Sequence, residues 1–310
     1  MSPTNIFAPA STSAHAIVQL SIFVVAIAVA VFAVVGGLLV YAVVKFRKRR
    51  QEDGREPAQI YGSTRIELAW TVIPILIVFV LFLASARVIF SVQAAPHPPS
   101  ALEVTVIGHQ YWWEYRYPGQ NVVTANELHV PAGERTLLTL LSADTDHSFW
   151  VPRLAGKTDL IPNHPNTMWI EPSETGLYLG QCAQYCGTQH GKMLLRVYVQ
   201  TRAEFDAWIR AQAAPARTDE VSEGRRIFEQ TACINCHAVA GTPANGRFGP
   251  DLTHLMSRET IGAGIARNTP ENLRRWILRP DDFKRGSLMP AMGLTDSQLD
   301  AITTYLTSLR

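Results

Sequence analysis

Two long apolar runs near the N-terminus constrain this chain more than anything else in it. Residues 16–44 and 68–86 contain no Lys, Arg, Asp or Glu. A helix of about 20 apolar residues crosses the hydrocarbon core of a bilayer. A secretory leader would have a basic start and a shorter apolar region, whereas residues 1–15 contain no Lys or Arg. The pattern predicts a transmembrane hairpin over residues 1–93, with helices over about 16–44 and 67–92 and a loop over 45–66.

That loop carries Lys45, Arg47, Lys48, Arg49, Arg50, Arg55 and Arg65. Basic loops stay on the cytoplasmic side. Both termini, and everything after the second helix, are therefore expected at the outer face of a bacterial inner membrane, with only the hairpin in contact with lipid. Structural thiols in that oxidising space do not stay unpaired. The net charge of +2 gives no case for nucleic acid as a partner.

Beyond the hairpin the patterning changes to period two. Residues 102–117, 135–143, 166–172, 175–180 and 193–200 are rich in β-branched, aliphatic and aromatic residues. Pro, Gly, Asn and Asp separate them, which predicts an all-β sandwich or barrel over residues 94–211. A linker is read at 212–219 (QAAPARTD), then an all-α segment over 220–310. In that segment, residues 223–232 and 296–309 place apolar side chains at three- and four-residue spacing. Asp296 is the expected N-cap of the last helix.

The helical segment contains TACINCHA, a C-x-x-C-H run made by Cys233, Cys236 and His237. Two thiols at this spacing can add to the vinyl groups of one haem, and the following His then reaches the iron. A thioredoxin-like redox pair would need a βαβ setting, and a zinc site would need a further thiol pair nearby. The segment resembles a class I cytochrome c over its whole length. That resemblance implies Met289, in GSLMPAM, as distal ligand, with Met292 as the alternative. It also implies that the Pro250 carbonyl orients His237, and that Gly224 and Phe228 pack against Tyr305 on the last helix. His–Met ligation raises the iron potential and suits electron transfer. His254 is read as a surface or helix histidine and Met256 as core.

The stretch QCAQYCGTQHGKM (residues 181–193) places Cys182, Cys186, His190 and Met193 within one loop. A disulfide between the two cysteines would close only a small ring, with a modest entropic gain of about 2 kcal/mol, and would leave His190 and Met193 without a role. A Cys₂His₂ zinc site is conceivable, but zinc has little use for a thioether. Soft ligand sets select copper. A single blue-copper site takes one thiolate, so two thiolates suit a pair of coppers capped by two imidazoles. His147, in ADTDHSFWVP, is the best second histidine.

With these elements together, the chain resembles subunit II of cytochrome c oxidase, bearing a CuA centre and a fused C-terminal cytochrome c, as in oxidases of the caa type. The matching stretches are the hairpin with ELAWTVIP (67–74), GHQYWWEYRYP (108–118), DTDHSFWVP (144–152), GKTD (156–159) and the Cys–His–Met cluster. The resemblance implies a multidomain membrane protein: a two-helix hairpin, an all-β cupredoxin-like domain and an all-α class I cytochrome c domain. It implies that Cys182 and Cys186 bridge two coppers, that His147 and His190 bind one each, and that Met193 and the Gln184 carbonyl are weak axial ligands. It implies an electron-input subunit that takes electrons from an external donor, such as a soluble cytochrome c or another periplasmic carrier. These pass through covalent haem c to CuA and on to haem in subunit I, for oxygen reduction coupled to proton pumping. Subunit III is a further expected partner. The chain itself is not catalytic alone. Glu67 matches the family carboxylate at the mouth of a proton path, although a helix-start Glu is also favoured by the helix dipole.

Three departures qualify the resemblance. The residue between the cysteines is Gln184 where most members have Glu, and an amide is a weaker ligand for a hard cation. Magnesium at the subunit interface is thereby put in doubt. The family usually has Trp directly after GHQ as the electron-input residue. Here the order is Tyr111, Trp112, Trp113, all three candidates for that role. Pro162, Asn163 and His164 stand where Pro-Gly-Arg is common. His109 is read as structural, and His15, His97 and His129 as exposed.

Overall fold

The computed structural model describes residues 4–47, 59, 61–93, 98, 101–216 and 223–310. Two helices come first, α1 (Thr12–Lys45) and α2 (Thr64–Gln93), of 34 and 30 residues. At about 1.5 Å per residue each is longer than the roughly 30 Å apolar core of a bilayer. Val, Leu, Ile and Phe are exposed along both, including Phe32, Leu38, Leu39, Leu76, Val78 and Phe82. Each helix outruns its apolar stretch at both ends. Glu67 sits in the first turn of α2 and Pro74 lies inside it. Lys48, Arg49, Arg50 and Arg55, which carry most of the orientation argument, lie outside the described residues, as does His97.

The residues ahead of His15 and after Pro96 form a separate compact unit. Its first part is built from β1 (Leu102–His109), β2 (Trp112–Tyr117), β3 (Val122–Ala125), β4 (Glu127–Pro131), β5 (Thr136–Ser142), β6 (His147–Trp150), β7 (Thr158–Leu160), β8 (Asn166–Ile170), β9 (Gly176–Cys182) and β10 (Leu194–Gln200). They form two five-stranded sheets, ordered β3-β2-β1-β5-β8 and β4-β10-β9-β6-β7. Two pairings are parallel, β1 with β5 and β4 with β10, and the rest are antiparallel. Alternation along the strands turns Val104, Val106, Leu138 and Leu140 of one sheet, and Leu128, Val130, Leu195 and Val197 of the other, into a shared interior. Each buried aliphatic contributes about 1.5–3 kcal/mol relative to exposure.

Strand patterning did not reveal α3 (Arg202–Ala213), which follows β10 directly. Its start is a reciprocal cap: the Glu204 amide donates to Thr201 Oγ1, and the Thr201 amide donates to Glu204. Phe205 and Ile209 are buried from this helix, and Trp208 packs edge-on to Tyr117 at 5.4 Å. Trp208 also corrects the reading of His129 as exposed. That ring is sandwiched between Trp208 at 4.0 Å and Tyr198 at 4.7 Å, both nearly parallel to it. His15 is exposed, as expected.

The short segment ahead of α1 is tied to this domain. The Ala10 amide donates to the Arg153 carbonyl at 2.8 Å, and the Ser173 amide donates to the Ala10 carbonyl at 2.9 Å. Ser11 and Ser13 hydroxyls both donate to the Leu154 carbonyl, and Ala10, Ser11 and Ser13 are buried.

The C-terminal domain contains α4 (Glu223–Gln230), the short turn α5 (Cys233–Cys236), a two-stranded ribbon β11 (Thr260–Ile261) and β12 (Ala266–Arg267), then α6 (Pro270–Leu278), α7 (Pro280–Phe283) and α8 (Asp296–Ser308). The ribbon is an addition to the helical pattern, too short to show periodicity. α4 crosses α8 so closely at Gly224 that a Cβ there would lie 2.0 Å from the Ala301 carbonyl oxygen. Phe228 and Tyr305 pack beside the crossing, with ring centroids 5.7 Å apart. The N-cap of α8 is Thr295 rather than Asp296: its hydroxyl accepts from the Gln298 amide, while Asp296 occupies the first turn. His254 is buried, with Nε2 3.0 Å from the Ala214 carbonyl, so it is not a surface residue. Met256 packs against the domain core.

Candidate metal centre and haem pocket

The end of β9, the start of β6 and the loop before β10 meet at one end of the second sheet. Pairing of Phe149 with Cys182 brings β6 against β9, and the Cys182 amide donates to the Met193 carbonyl at 2.9 Å, which closes the loop. Cys182 Sγ lies 3.9 Å from Cys186 Sγ, 3.9 Å from His147 Nδ1 and 3.1 Å from the Gln184 carbonyl oxygen. Cys186 Sγ lies 3.7 Å from His190 Nδ1 and 3.9 Å from Met193 Sδ. Both thiols are free, and Cys182, Cys186, His147 and Met193 are buried. All of the predicted ligands converge here.

The second sphere fixes His147. Its Nε2 is 2.8 Å from Asp144 Oδ1, so that Nε2–H donates to the carboxylate and Nδ1 faces the sulfurs. Burial opposes charging the ring, but Asp144 and Cys182 outweigh it and raise the His147 pKa; the same contact lowers that of Asp144. Trp113 packs edge-on against His147 at 6.1 Å and against Phe149 at 5.7 Å. Gly108 in β1 leaves the space for this ring: a Cβ there would lie 2.8 Å from His147 Cδ2.

The thiols titrate as a pair. The Cys186 thiol beside it, together with His147 and backbone donors, holds Cys182 well below the usual thiol range. The Cys182 neighbour and burial push Cys186 up. Like charges this close do not both form unless a cation lies between them. The donor set therefore fits soft metal: two thiols, two imidazole nitrogens facing them and a thioether.

The second site is a cavity of about 290 Å³ in the C-terminal domain. Cys233 and Cys236 lie on α5 at its rim, and the His237 amide donates to the Cys233 carbonyl at 2.9 Å. His237 Nδ1–H donates to the Pro250 carbonyl at 2.7 Å, which leaves Nε2 for a ligand. Burial lowers the His237 pKa and keeps the ring neutral. Met289 and Met292 both line the cavity, and Trp276 Nε1–H donates to Met289 Sδ at 3.1 Å. Leu252, Leu255, Leu273 and Ile277 supply apolar wall. Two thiols at the rim, one imidazole nitrogen, a thioether and an apolar cleft fit a covalently held haem.

Not every candidate joins these sites. Trp113 is fully buried, with no surface to offer an external donor. Tyr111 and Trp112, with Gln110, line the haem cavity from the β domain. His109 stacks on Trp112 at 4.1 Å and reaches Glu114 at 3.0 Å, a structural arrangement. Glu67 lies in the separate helical unit. Lys157 and Asp159 are half-exposed and 3.6 Å apart, a geometry worth under about 1 kcal/mol. Asp144, Gln110, Glu127 and Lys284 were not singled out by sequence. Asp144 alone had a local clue, three residues ahead of His147.

Comparison with known proteins follows this division. Residues 3–88 match the transmembrane domain of cytochrome c oxidase subunit II, 119–200 its periplasmic domain and 221–310 cytochrome c. Cytochrome c oxidase subunit 2 of Alkalihalophilus pseudofirmus is 36% identical over 300 residues, covering 94% of this chain and 85% of its own. That of Bacillus sp. strain PS3 is 35% identical over 286 residues, covering 86% and 80%. The crystal structure of the periplasmic domain of subunit II of cytochrome oxidase from Bradyrhizobium japonicum is similar at 27% identity and a TM-score of 0.36, covering 37% of this chain and 95% of that one. A membrane anchor, a cupredoxin-like domain with a thiol–imidazole–thioether cluster and a cytochrome c domain thus occur in one chain. It belongs to the cytochrome c oxidase subunit II family, as a membrane-anchored electron-input subunit with its own fused cytochrome c of the caa type.

Proposed function

We propose that electrons from an external donor enter at haem c held by Cys233, Cys236, His237 and Met289. They pass to a dinuclear copper centre held by His147, Cys182, Cys186, His190, Met193 and the Gln184 carbonyl, and leave to haem in subunit I. When bound, haem and copper supply one-electron chemistry; the residues supply position, dielectric and access. Asp144 sets the tautomer of His147, and Pro250 does the same for His237. Trp113 and Phe149 shield the copper side from water. The carrying observation is the convergence of both thiols, both imidazole Nδ1 atoms and the Met193 sulfur in steps of 3.7–3.9 Å.

In this reading the chain is the non-catalytic subunit of a proton-pumping oxidase with subunits I and III. The hairpin spans the bacterial inner membrane, and both metal domains face the periplasm. Glu67 stands at the mouth of a proton path. The Gln184 side chain is exposed and neutral, so it adds nothing to a magnesium site beyond an amide oxygen. The test is to purify the complex with its partners. A haem c that survives extraction of the non-covalent haems, with a mixed-valence copper-pair EPR signal, is the expected result. Zinc in the thiol site with no copper would refute it. A rival reading, a haem carrier with a structural zinc domain, lacks an explanation for the buried Met193 sulfur at 3.9 Å from Cys186.

A further inference from the structure

The two metal-binding domains share a seam whose polar groups are unevenly distributed. Glu127 opens β4 of the β domain and is only 2% exposed. Among the described residues, every hydrogen bond to its carboxylate comes from the cytochrome domain: the Glu259 amide at 3.0 Å, the Thr260 amide at 2.9 Å and the Thr260 hydroxyl at 2.7 Å. Burial raises the Glu127 pKa, and the Thr260 and Glu259 donors, with buried Arg258 on the same side, offset this only in part. Lys284 is the reverse case. It belongs to the cytochrome domain, is 3% exposed, and donates to the Tyr111 carbonyl of the β domain at 2.8 Å.

Lys284 thereby rests on the turn from Gln110 to Trp112, which lines the haem cavity. Gln110 Nε2–H also donates to the Cys186 carbonyl at 2.6 Å, and the Tyr111 hydroxyl is 3.2 Å from Thr188 Oγ1. One turn thus touches the wall of one site and the ligand loop of the other. The ligand loop itself reaches across: Gln189 Nε2–H donates to the Arg285 carbonyl at 2.6 Å, and Lys192 Nζ to the Phe283 carbonyl at 2.7 Å.

A carboxyl group that accepts from two successive amides and from the hydroxyl of the second residue fits one register. Sliding the domains out of this register would leave a buried carboxyl group short of its donors, which costs more than losing a surface pair. The buried Lys284 amine, whose pKa burial and nearby Lys192 lower to about 7, likewise tolerates little displacement from its one main-chain carbonyl. We propose that Glu127 and Lys284 are positioning residues that pin the fused cytochrome in a single docked pose, so that Gln110–Trp112 is an internal bridge between the two sites and not a landing surface for an exchangeable donor. The tethered cytochrome then acts as a fixed part of the wire. This rests on the haem-to-copper reading above.

The experiment uses the intact, metal-loaded oxidase and two readouts. Hydrogen exchange at Glu259 and Thr260 reports docking. Haem-to-copper equilibration after photoreduction, measured against solvent viscosity, reports whether a domain search precedes transfer. In the wild type the two amides should be protected and the rate independent of viscosity. In Glu127→Ala or Lys284→Met, with haem and copper contents unchanged, exchange should rise about tenfold or more, as for loss of a buried hydrogen-bond partner. Transfer should then slow with viscosity. Thr260→Val, which keeps the β-branched shape and removes only the hydroxyl, should move both readouts the same way by a smaller factor. The pins are refuted if the wild-type amides exchange as freely as exposed loops, if its rate follows viscosity, or if all three variants match it. Absence of haem-to-copper transfer in the wild type would overturn the electron-input reading instead, and amide exchange would still decide the docking.

Discussion

Replacing Gly108 by Ala should damage the copper site without replacing any ligand. The new methyl carbon would sit 2.8 Å from His147 Cδ2 and 3.0 Å from Cγ, whereas ordinary contacts begin at 3.4 Å. One partner must move by at least about 0.6 Å. β1 is held on both sides by β2 and β5, with Gly108 paired to Trp113 and Ser142. The imidazole is the softer partner, yet it is held by Asp144 and hemmed in by Trp113. Overpacking of this kind costs about 1–3 kcal/mol. Metal–ligand distances tolerate only about 0.2 Å, so the displaced ring should lower copper affinity about 10–100-fold, the range seen when a ligand loses its orientation. Chelator competition followed by EPR measures this, and covalent haem content is the internal control, since Gly108 lies outside that pocket. Wild-type copper affinity with an unaltered EPR spectrum would refute the argument that Gly108 exists to seat His147.

Other expectations follow from the same geometry. Asp144→Asn should weaken copper about 10–100-fold while leaving haem attached, read by the same competition assay. Cys186→Ser should abolish the mixed-valence copper signal but not haem attachment; a retained normal signal would exclude Cys186 as a bridge. Met289→Leu should change the haem's distal ligation and lower its potential, measured by redox titration; if Met292→Leu alone does so, the distal ligand is Met292. Burial pushes the His129 pKa from 6.5 down to about 4. Because the unfolded chain then binds a proton that the folded one lacks, this stability is present above pH 6.5 and lost as pH falls toward 4. The loss amounts to about 3 kcal/mol at most. Acid titration of the thermal midpoint should show it, and His129→Phe should flatten that part of the curve.

Much of the site was legible because its chemistry is local. Cys182, Cys186, His190 and Met193 fall in one loop, and Cys233, Cys236 and His237 in one turn, so spacing carries the information. His147 lies 35 residues from Cys182 and reaches it only when β6 pairs with β9, whereas Asp144 is local to His147, three residues ahead of it. Glu127 and Lys284 had no signal at all. Each is an unremarkable charged residue until the other domain buries it, and no periodicity reports a partner more than a hundred positions away. His129 was misread for the same reason: Trp208 comes from a helix whose own amphipathic pattern is short. Trp113 was grouped with its neighbours by adjacency, but strand alternation turns it inward while Trp112 faces out of the sheet.

The strap ahead of α1 has a consequence for biogenesis. Its hydrogen bonds end on Arg153, Leu154 and Ser173, residues synthesised long after it. The strap must therefore wait for a sheet that does not yet exist when it is made. A chain whose strap stayed undocked would carry a β domain with unpaired backbone groups at Arg153, Leu154 and Ser173. Docking of the strap would thus be recorded in the stability of the β domain.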